Sequence, residues 1–220
     1  MPGSVLLIDD HVVIAQAMAD SLRGAGYDPV EYVAEDSFDV ESVFAIAERL
    51  RPDVALVDLN LGGGRSGLPL IGPLVGLGAK VVSFTASDDP LAMARCVEAG
   101  ATAFLHKASP FDALLATIER ALAGEELISQ HRRQELLAVL RSFRDADDSR
   151  LARLAALTPR EQEVLKALMA GQTAARIAED SYVSIRTVRT HIEAIHRKLG
   201  VKSQLSAVAF AREVGWPREG

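Results

Sequence analysis

Five short apolar runs, at residues 5–8, 30–34, 54–57, 81–84 and 102–106, are each followed by a stretch of helical periodicity. This alternation constrains the fold more than any other property of the chain, because it is the pattern of βα units feeding a parallel sheet with helices on both faces. The third run shows the logic most plainly. Val54, Ala55, Leu56 and Val57 are apolar without alternation, so both faces of that strand must be covered. Helical spacing follows the first run at Val13, Ile14, Ala17, Met18 and Leu22. After the fifth run, Phe111, Leu114, Leu115, Ile118 and Leu122 make a core-facing stripe. The fourth helix carries Leu91, Met93 and Val97. The second unit, with its helix over 38–50, is weaker, and the third is followed by a glycine-interrupted segment at 68–77.

The residues that close these runs are polar. Asp9 and Asp10 end the first strand, Asp58 the third, Thr85 the fourth and Lys107 the fifth. Parallel strands place their carboxyl ends on one edge of the sheet, so these side chains converge there. Three carboxylates in one place repel one another and attract a hard divalent cation such as Mg2+. The lysine and the hydroxyl are what the oxygens of a phosphoryl group on one of those carboxylates need. Taken singly, each residue has a plainer reading: a helix cap for Asp10, a turn for Asp58, a solvated side chain for Thr85 or Lys107. Together they point to phosphoryl transfer to an aspartate. The glycines at 62–64 do not make a nucleotide loop, since no Gly-Lys-Ser/Thr follows them.

Residues 1–124 resemble the receiver domain of bacterial two-component response regulators. The matching pieces are Leu7-Ile8-Asp9-Asp10-His11, Leu56-Val57-Asp58-Leu59, Phe84-Thr85-Ala86 and Phe104-Leu105-His106-Lys107. The resemblance implies a flavodoxin-like (βα)5 domain whose Asp58 accepts phosphate from a sensor histidine kinase. It also implies that Asp9, Asp10, Asp58 and the main-chain carbonyl of Asn60 organise Mg2+, and that Thr85 and Lys107 hold the phosphoryl oxygens. Phe104 matches the aromatic switch position that moves with the threonine, although it lacks the hydroxyl of the frequent tyrosine. Two departures stand out. The loop 60–67 is longer and richer in glycine than is usual in the family, and is expected to be more mobile. Ala108 stands after Lys107 where many receivers have a proline, so the cis bond common there cannot form.

Charge separates the chain into an acidic front and a basic back: residues 151–220 carry 11 Lys+Arg against 7 Asp+Glu. A basic domain is a candidate for nucleic acid. Between them, residues 125–156 are charged yet periodic at Leu136, Leu137, Leu140, Phe143, Leu151 and Leu154, which predicts a helical linker. The acidic stretch 145–149 is expected to break it, with Asp148 or Ser149 capping a second segment.

At Thr158-Pro159-Arg160-Glu161 a capping box and a proline at the first helical position open a helix buried through Val164, Leu165, Leu168 and Met169. A short helix at 173–180, a turn at 181–183, and a third helix capped by Ser184 and running to Leu199 make a helix-turn-helix. On the third helix Val188, Ile192, Ile195 and Leu199 share one face, while Arg186, Thr190, Glu193 and Arg197 share the opposite one, with Arg189 on the flank. The C-terminal domain, 157–220, resembles across 157–213 the LuxR-type helix-turn-helix of NarL/FixJ response regulators, through 157–165, Thr187-Val188-Arg189-Thr190-His191 and 197–201. The DNA-binding candidates are therefore Arg186, Thr187, Arg189, Thr190 and Arg197. Glu193 departs from the basic or small polar residue frequent there, and is placed to repel phosphate or accept from a cytosine amino group. A last helix, from Ser203 through Leu205, Val208 and Phe210, resembles the one used for dimerisation on DNA.

The expected protein is thus an α/β receiver with a small all-α DNA-binding domain. It would be a phosphorylation-controlled transcription regulator, homodimeric when phosphorylated, cytoplasmic, and an enzyme only toward its own phosphorylation and dephosphorylation. No stretch suits a membrane, and Cys96, the single cysteine, permits no intrachain disulfide. Two other readings compete. A phosphatase of the haloacid-dehalogenase class would need Asp-x-Asp where this chain has Asp58-Leu59-Asn60, and would carry no helix-turn-helix. A constitutive DNA-binding protein would use the receiver only for dimerisation or partner contact.

Overall fold

The structure is a computed structural model that describes residues 3–33 and 39–217. Among the described residues, the chain runs β1 (Ser4–Asp9), α1 (Val12–Gly24), β2 (Asp28–Val33), α2 (Val40–Leu50), β3 (Val54–Asp58), α3 (Leu68–Gly76), β4 (Lys80–Thr85), α4 (Pro90–Glu98), β5 (Ala103–His106) and α5 (Phe111–Leu122). Helices α6 (Gln130–Ala155), α7 (Pro159–Met169), α8 (Ala174–Asp180), α9 (Ile185–Leu199) and α10 (Gln204–Glu213) follow. The five strands are parallel in the order β2-β1-β3-β4-β5, the flavodoxin-like arrangement, with β3 at the centre. All of β3 is buried, as its unbroken apolar run requires. Ala34 and Phe38, where the expected second strand ends and its helix begins, lie outside the described residues.

Helix α1 forms where its periodicity placed it, but it buries Ala15, Ala19 and Leu22 while Val13 stays 79% exposed. Alanines let the helix approach the sheet closely, so the small side chains go inward and the bulkier Val12, Val13 and Ile14 remain outside. In α5 the stripe holds at Leu114 and Ile118, but Ala121 turns inward in place of Leu122.

The chain divides into compact units at 1–140 and 141–220. Helix α6 is continuous for 26 residues and passes through 145–149 without a break, which corrects the expected interruption. No glycine or proline lies in that stretch, and aspartate costs a helix only about 0.6 kcal/mol relative to alanine. Asp147 also pairs with Arg150 one turn on, at 3.3 Å. The first half of α6 belongs to the first unit: its Leu136 and Leu140, together with Ile128 just ahead of the helix, are buried with Ala94 and Val97 of α4. Its second half belongs to the second unit, where Leu154 is buried with Leu157, Val164, Leu168, Ile195 and Leu199.

A fragment ending at residue 124 loses those three aliphatic side chains and uncovers α4. Its unfolding midpoint in urea should lie below that of a fragment ending at 140, by a stability difference on the order of 3 kcal/mol after the cost of ordering the helix. Equal midpoints would show that the α6 contact contributes nothing to the receiver.

Candidate functional site

Strand register brings the polar residues to one edge. Ile8 pairs with Val57, Asp58 with Phe84, and Thr85 with His106, so Asp9, Asp58, Thr85 and Lys107 all emerge at the carboxyl end of the sheet. The N–H of Lys107 donates to the Thr85 carbonyl at 2.8 Å, extending the ladder by one step. From there Lys107 Nζ donates to Asp9 Oδ2 at 2.6 Å and to Asp58 Oδ2 at 2.8 Å. The remaining oxygens are held by the backbone: Asp58 Oδ1 accepts the Asn60 N–H at 3.1 Å and Asp9 Oδ1 the His11 N–H at 2.8 Å.

Both carboxylates are nearly sealed from water, with Asp9 4% and Asp58 3% exposed. Burial raises the Asp58 carboxyl above its ordinary value, a pull that the hydrogen bonds from Lys107 and Asn60 only partly offset. Burial works to lower the Lys107 ammonium as well, but the bonds to Asp58 and Asp9 outweigh it and its pKa is raised. Lys107 is therefore a fixed cation between two carboxylates.

Asp10 completes the group. Its Oδ1 is buried and makes no hydrogen bond; His11 Nδ1 approaches to 2.7 Å, near in distance but not aligned to bond. One ligand atom each from Asp9, Asp10, His11 and Asp58 lies within 4.8 Å of the others. Three carboxylates with an orphaned, buried oxygen are the donor chemistry that a hard divalent cation takes. Asn60 and Ser66 form an isolated antiparallel bridge whose bonds run from Leu61 N–H to Arg65 and from Gly67 N–H to Leu59. Neither uses the Asn60 carbonyl.

Two glycines of this loop serve the site in ways that sequence reasoning missed. A Cβ at Gly62, where φ is +67°, would stand 2.6 Å from Asp10 Oδ2. A Cβ at Gly67 would stand 2.0 Å from the Asp58 carbonyl oxygen, so the backbone can pass there only without a side chain. A glycine cluster in sequence signals a loop; that Gly62 meets the Asp10 carboxylate and Gly67 the Asp58 backbone carbonyl depends on the fold.

Thr85 is 8% exposed at the end of β4, and its Oγ1 accepts the Ser87 N–H at 3.1 Å instead of joining the carboxylate–lysine group. Phe104 is half-buried and packs against both the core on one face of the sheet and the cluster formed by α4 with α6.

In the second unit α7, α9 and α10 begin on their expected caps, whereas α8 begins on a cap, Thr173, that the sequence places inside its helix. Thr158 and Glu161 make both bonds of the capping box, and Thr173, Ser184 and Ser203 cap α8, α9 and α10. Val188, Ile195 and Leu199 of α9 are fully buried and Ile192 is half-buried. Arg186, Thr187, Arg189, Thr190, Glu193 and Arg197 are all exposed, which leaves a face with three arginines able to enter a groove. Glu161 does more than cap: its Oε2 also accepts from Lys198 Nζ at 2.6 Å, joining the start of α7 to the end of α9. Among the described residues no helix is long and apolar enough to cross a membrane.

Known proteins share both halves. The family model for the response regulator receiver domain matches residues 5–119, and that for bacterial regulatory proteins of the luxR family matches residues 155–211. The chain is 31% identical over 217 residues to the nitrate/nitrite response regulator protein NarP of Escherichia coli (strain K12), covering 97% of each. It is 33% identical over 208 residues to a nitrate/nitrite response regulator protein homolog of Haemophilus influenzae, covering 94% of each. Among solved structures, the signal receiver domain of a modulated diguanylate cyclase from Desulfovibrio desulfuricans G20 matches with a TM-score of 0.50 at 27% identity, over 56% of this chain and 96% of that one.

Proposed function

The chain belongs to the response regulators that join a receiver domain to a LuxR-type DNA-binding domain, and we propose that phosphoryl transfer to Asp58 controls its binding to double-stranded DNA. The observation that carries this reading is the buried Asp58 carboxylate, held by Lys107 beside Asp9 and an unbonded oxygen of Asp10.

In this reading a carboxylate oxygen of Asp58 attacks the phosphorus of a phosphohistidine on a sensor histidine kinase. The P–N bond breaks and the imidazole leaves. Asp9, Asp10, Asp58 and the Asn60 carbonyl would hold Mg2+, which supplies positive charge against the carboxylates and the incoming phosphoryl oxygens. Lys107 Nζ, already 2.8 Å from Asp58 Oδ2, takes one phosphoryl oxygen. Thr85 exchanges its contact with Ser87 for another phosphoryl oxygen, and Phe104 repacks against α4 in response. Beyond its own phosphorylation and dephosphorylation the protein performs no chemistry. The output is homodimerisation and insertion of two α9 helices into successive major grooves, with Arg186, Thr187, Arg189, Thr190 and Arg197 at the DNA. Such a protein works in the cytoplasm.

Sedimentation in Mg2+ with and without beryllofluoride, a mimic of the aspartyl phosphate, tests this. A monomer-to-dimer shift together with tighter DNA binding is expected for the unsubstituted protein and not for Asp58→Asn. Mass and DNA affinity indifferent to beryllofluoride would instead make the protein a constitutive DNA binder.

A further inference from the structure

Strand β5 ends in a histidine whose ring is engaged at both nitrogens. His106 Nδ1 accepts the backbone N–H of Ala108 at 3.0 Å, and Nε2 lies 3.2 Å from the carbonyl oxygen of Ala86. The first contact decides the second. A nitrogen that accepts from an N–H carries a lone pair, so the proton of the neutral ring sits on Nε2, where Ala86 can receive it. An imidazolium would have donors at both positions and could not keep the Ala108 bond. The neutral Nε2–H tautomer is the form that satisfies both.

The ring lies between the two phosphoryl-binding candidates. Ala86 directly follows Thr85, and His106 directly precedes Lys107. Thr85 and His106 are register partners, and the ladder between β4 and β5 closes with Lys107 N–H on the Thr85 carbonyl at 2.8 Å. The His106 ring carries the connection one residue further, from the turn after β5 to the loop after β4. Ala108 is what makes this possible. A proline at that position would have no N–H to fix the ring, whereas alanine supplies one, and Ser109 N–H on the His106 carbonyl at 2.8 Å closes the same turn.

We propose that His106 is a positioning residue for phosphoryl binding: its neutral imidazole clasps the loop carrying Thr85 to the turn carrying Lys107, so that hydroxyl and ammonium meet the phosphoryl group as a pre-set pair. This deepens the reading of Asp58 given above and rests on it. Two loops that move independently must be ordered against each other when the group arrives. A bond already made removes that cost. One net hydrogen bond of ordinary strength corresponds to about a three- to tenfold change in affinity.

Three variants at this exposed position separate clasp from turn. His106→Gln keeps a donor near the place of Nε2. His106→Asn keeps an acceptor for the Ala108 N–H but is too short to reach Ala86, and His106→Leu keeps neither. Beryllofluoride affinity in Mg2+, read by calorimetry, should fall about three- to tenfold in the Leu and Asn variants and return to near the unsubstituted value in the Gln variant. Imidazole 15N spectra of the phosphoryl-free protein should show a pyridine-like Nδ1 and a pyrrole-like Nε2. Equal affinities in all four proteins, rescue by Asn but not Gln, or an inverted or averaged tautomer would overturn the clasp. Failure of the unsubstituted protein to bind beryllofluoride would remove the reading of Asp58, and this proposal with it.

Discussion

Asp58→Asn will abolish phosphoryl uptake and at the same time raise the thermal stability of the metal-free protein. The two effects share a cause. Asp58 is 3% exposed and its carboxyl is held above its ordinary pKa by burial, so its charged form is worse off in the folded chain than in the unfolded one. A group whose folded pKa is raised contributes stability that is complete below its unfolded pKa and is lost as pH rises through the folded value. At neutral pH Asp58 is therefore a cost to the fold. An amide of nearly the same shape carries no charge to desolvate, and its one oxygen can accept from either the Asn60 N–H or Lys107, which held separate oxygens of Asp58, while Lys107 retains Asp9 at 2.6 Å. The expected gain is about 1 kcal/mol, the size usual when a site strained for function is relieved, or a rise of a few degrees in Tm. Thermal denaturation in a chelator, beside labelling with a small phosphodonor, measures both. Added Mg2+ should narrow the gap by stabilising only the unsubstituted protein. A lower Tm for the variant would mean that the bond to Lys107 outweighs desolvation, and phosphate retained by the variant would place the acceptor elsewhere.

Glu161→Ala should unfold the DNA-binding unit more readily than any surface substitution in it. The carboxylate is 5% exposed, and its Oε2 accepts from the Thr158 N–H at 2.7 Å and Lys198 Nζ at 2.6 Å. Lys198 also donates to the Ala156 carbonyl at 3.1 Å, so one carboxylate joins the end of α6, the start of α7 and the last turn of α9. Alanine removes half of the capping box and leaves a partly buried ammonium without its counter-charge, a loss of about 3 kcal/mol. DNA affinity should fall with the folded fraction, and Glu161→Gln, which keeps the shape and the cap, should lose less. Burial alone would raise the Glu161 pKa, but the bonds from Lys198 and Thr158 bring it below its ordinary value. A depressed folded pKa means that its contribution is present above the unfolded value and disappears as pH falls through the folded one. The unit should therefore lose stability in acid, and the variant should lose less there than the unsubstituted protein. Chemical denaturation followed at Trp216 provides the measurement, and equal midpoints for Glu161→Ala and the unsubstituted protein would show that the buried pair is neutral.

What the sequence determined by itself was the kind and order of the elements, the edge of the sheet where Asp9, Asp10, Asp58, Thr85 and Lys107 gather, the caps at Thr158, Ser184 and Ser203, and the buried face of α9. Each rests on local rules: a period of 3.6, an unbroken apolar run, a side chain bonding three residues ahead. The tertiary structure alone decided the inward alanines of α1, the continuity of α6 through its acidic stretch, the approach of Gly62 to the Asp10 carboxylate and of Gly67 to the Asp58 backbone carbonyl, the Glu161–Lys198 pair across 37 residues, and the His106 bridge to Ala86. In all of these but the continuity of α6, which local propensity and the Asp147–Arg150 pair permit, the energy lies in a contact between distant parts of the chain. Local propensities of a few tenths of a kcal/mol, such as the reluctance of aspartate to sit in a helix, give way to packing and buried charge pairs worth several times more.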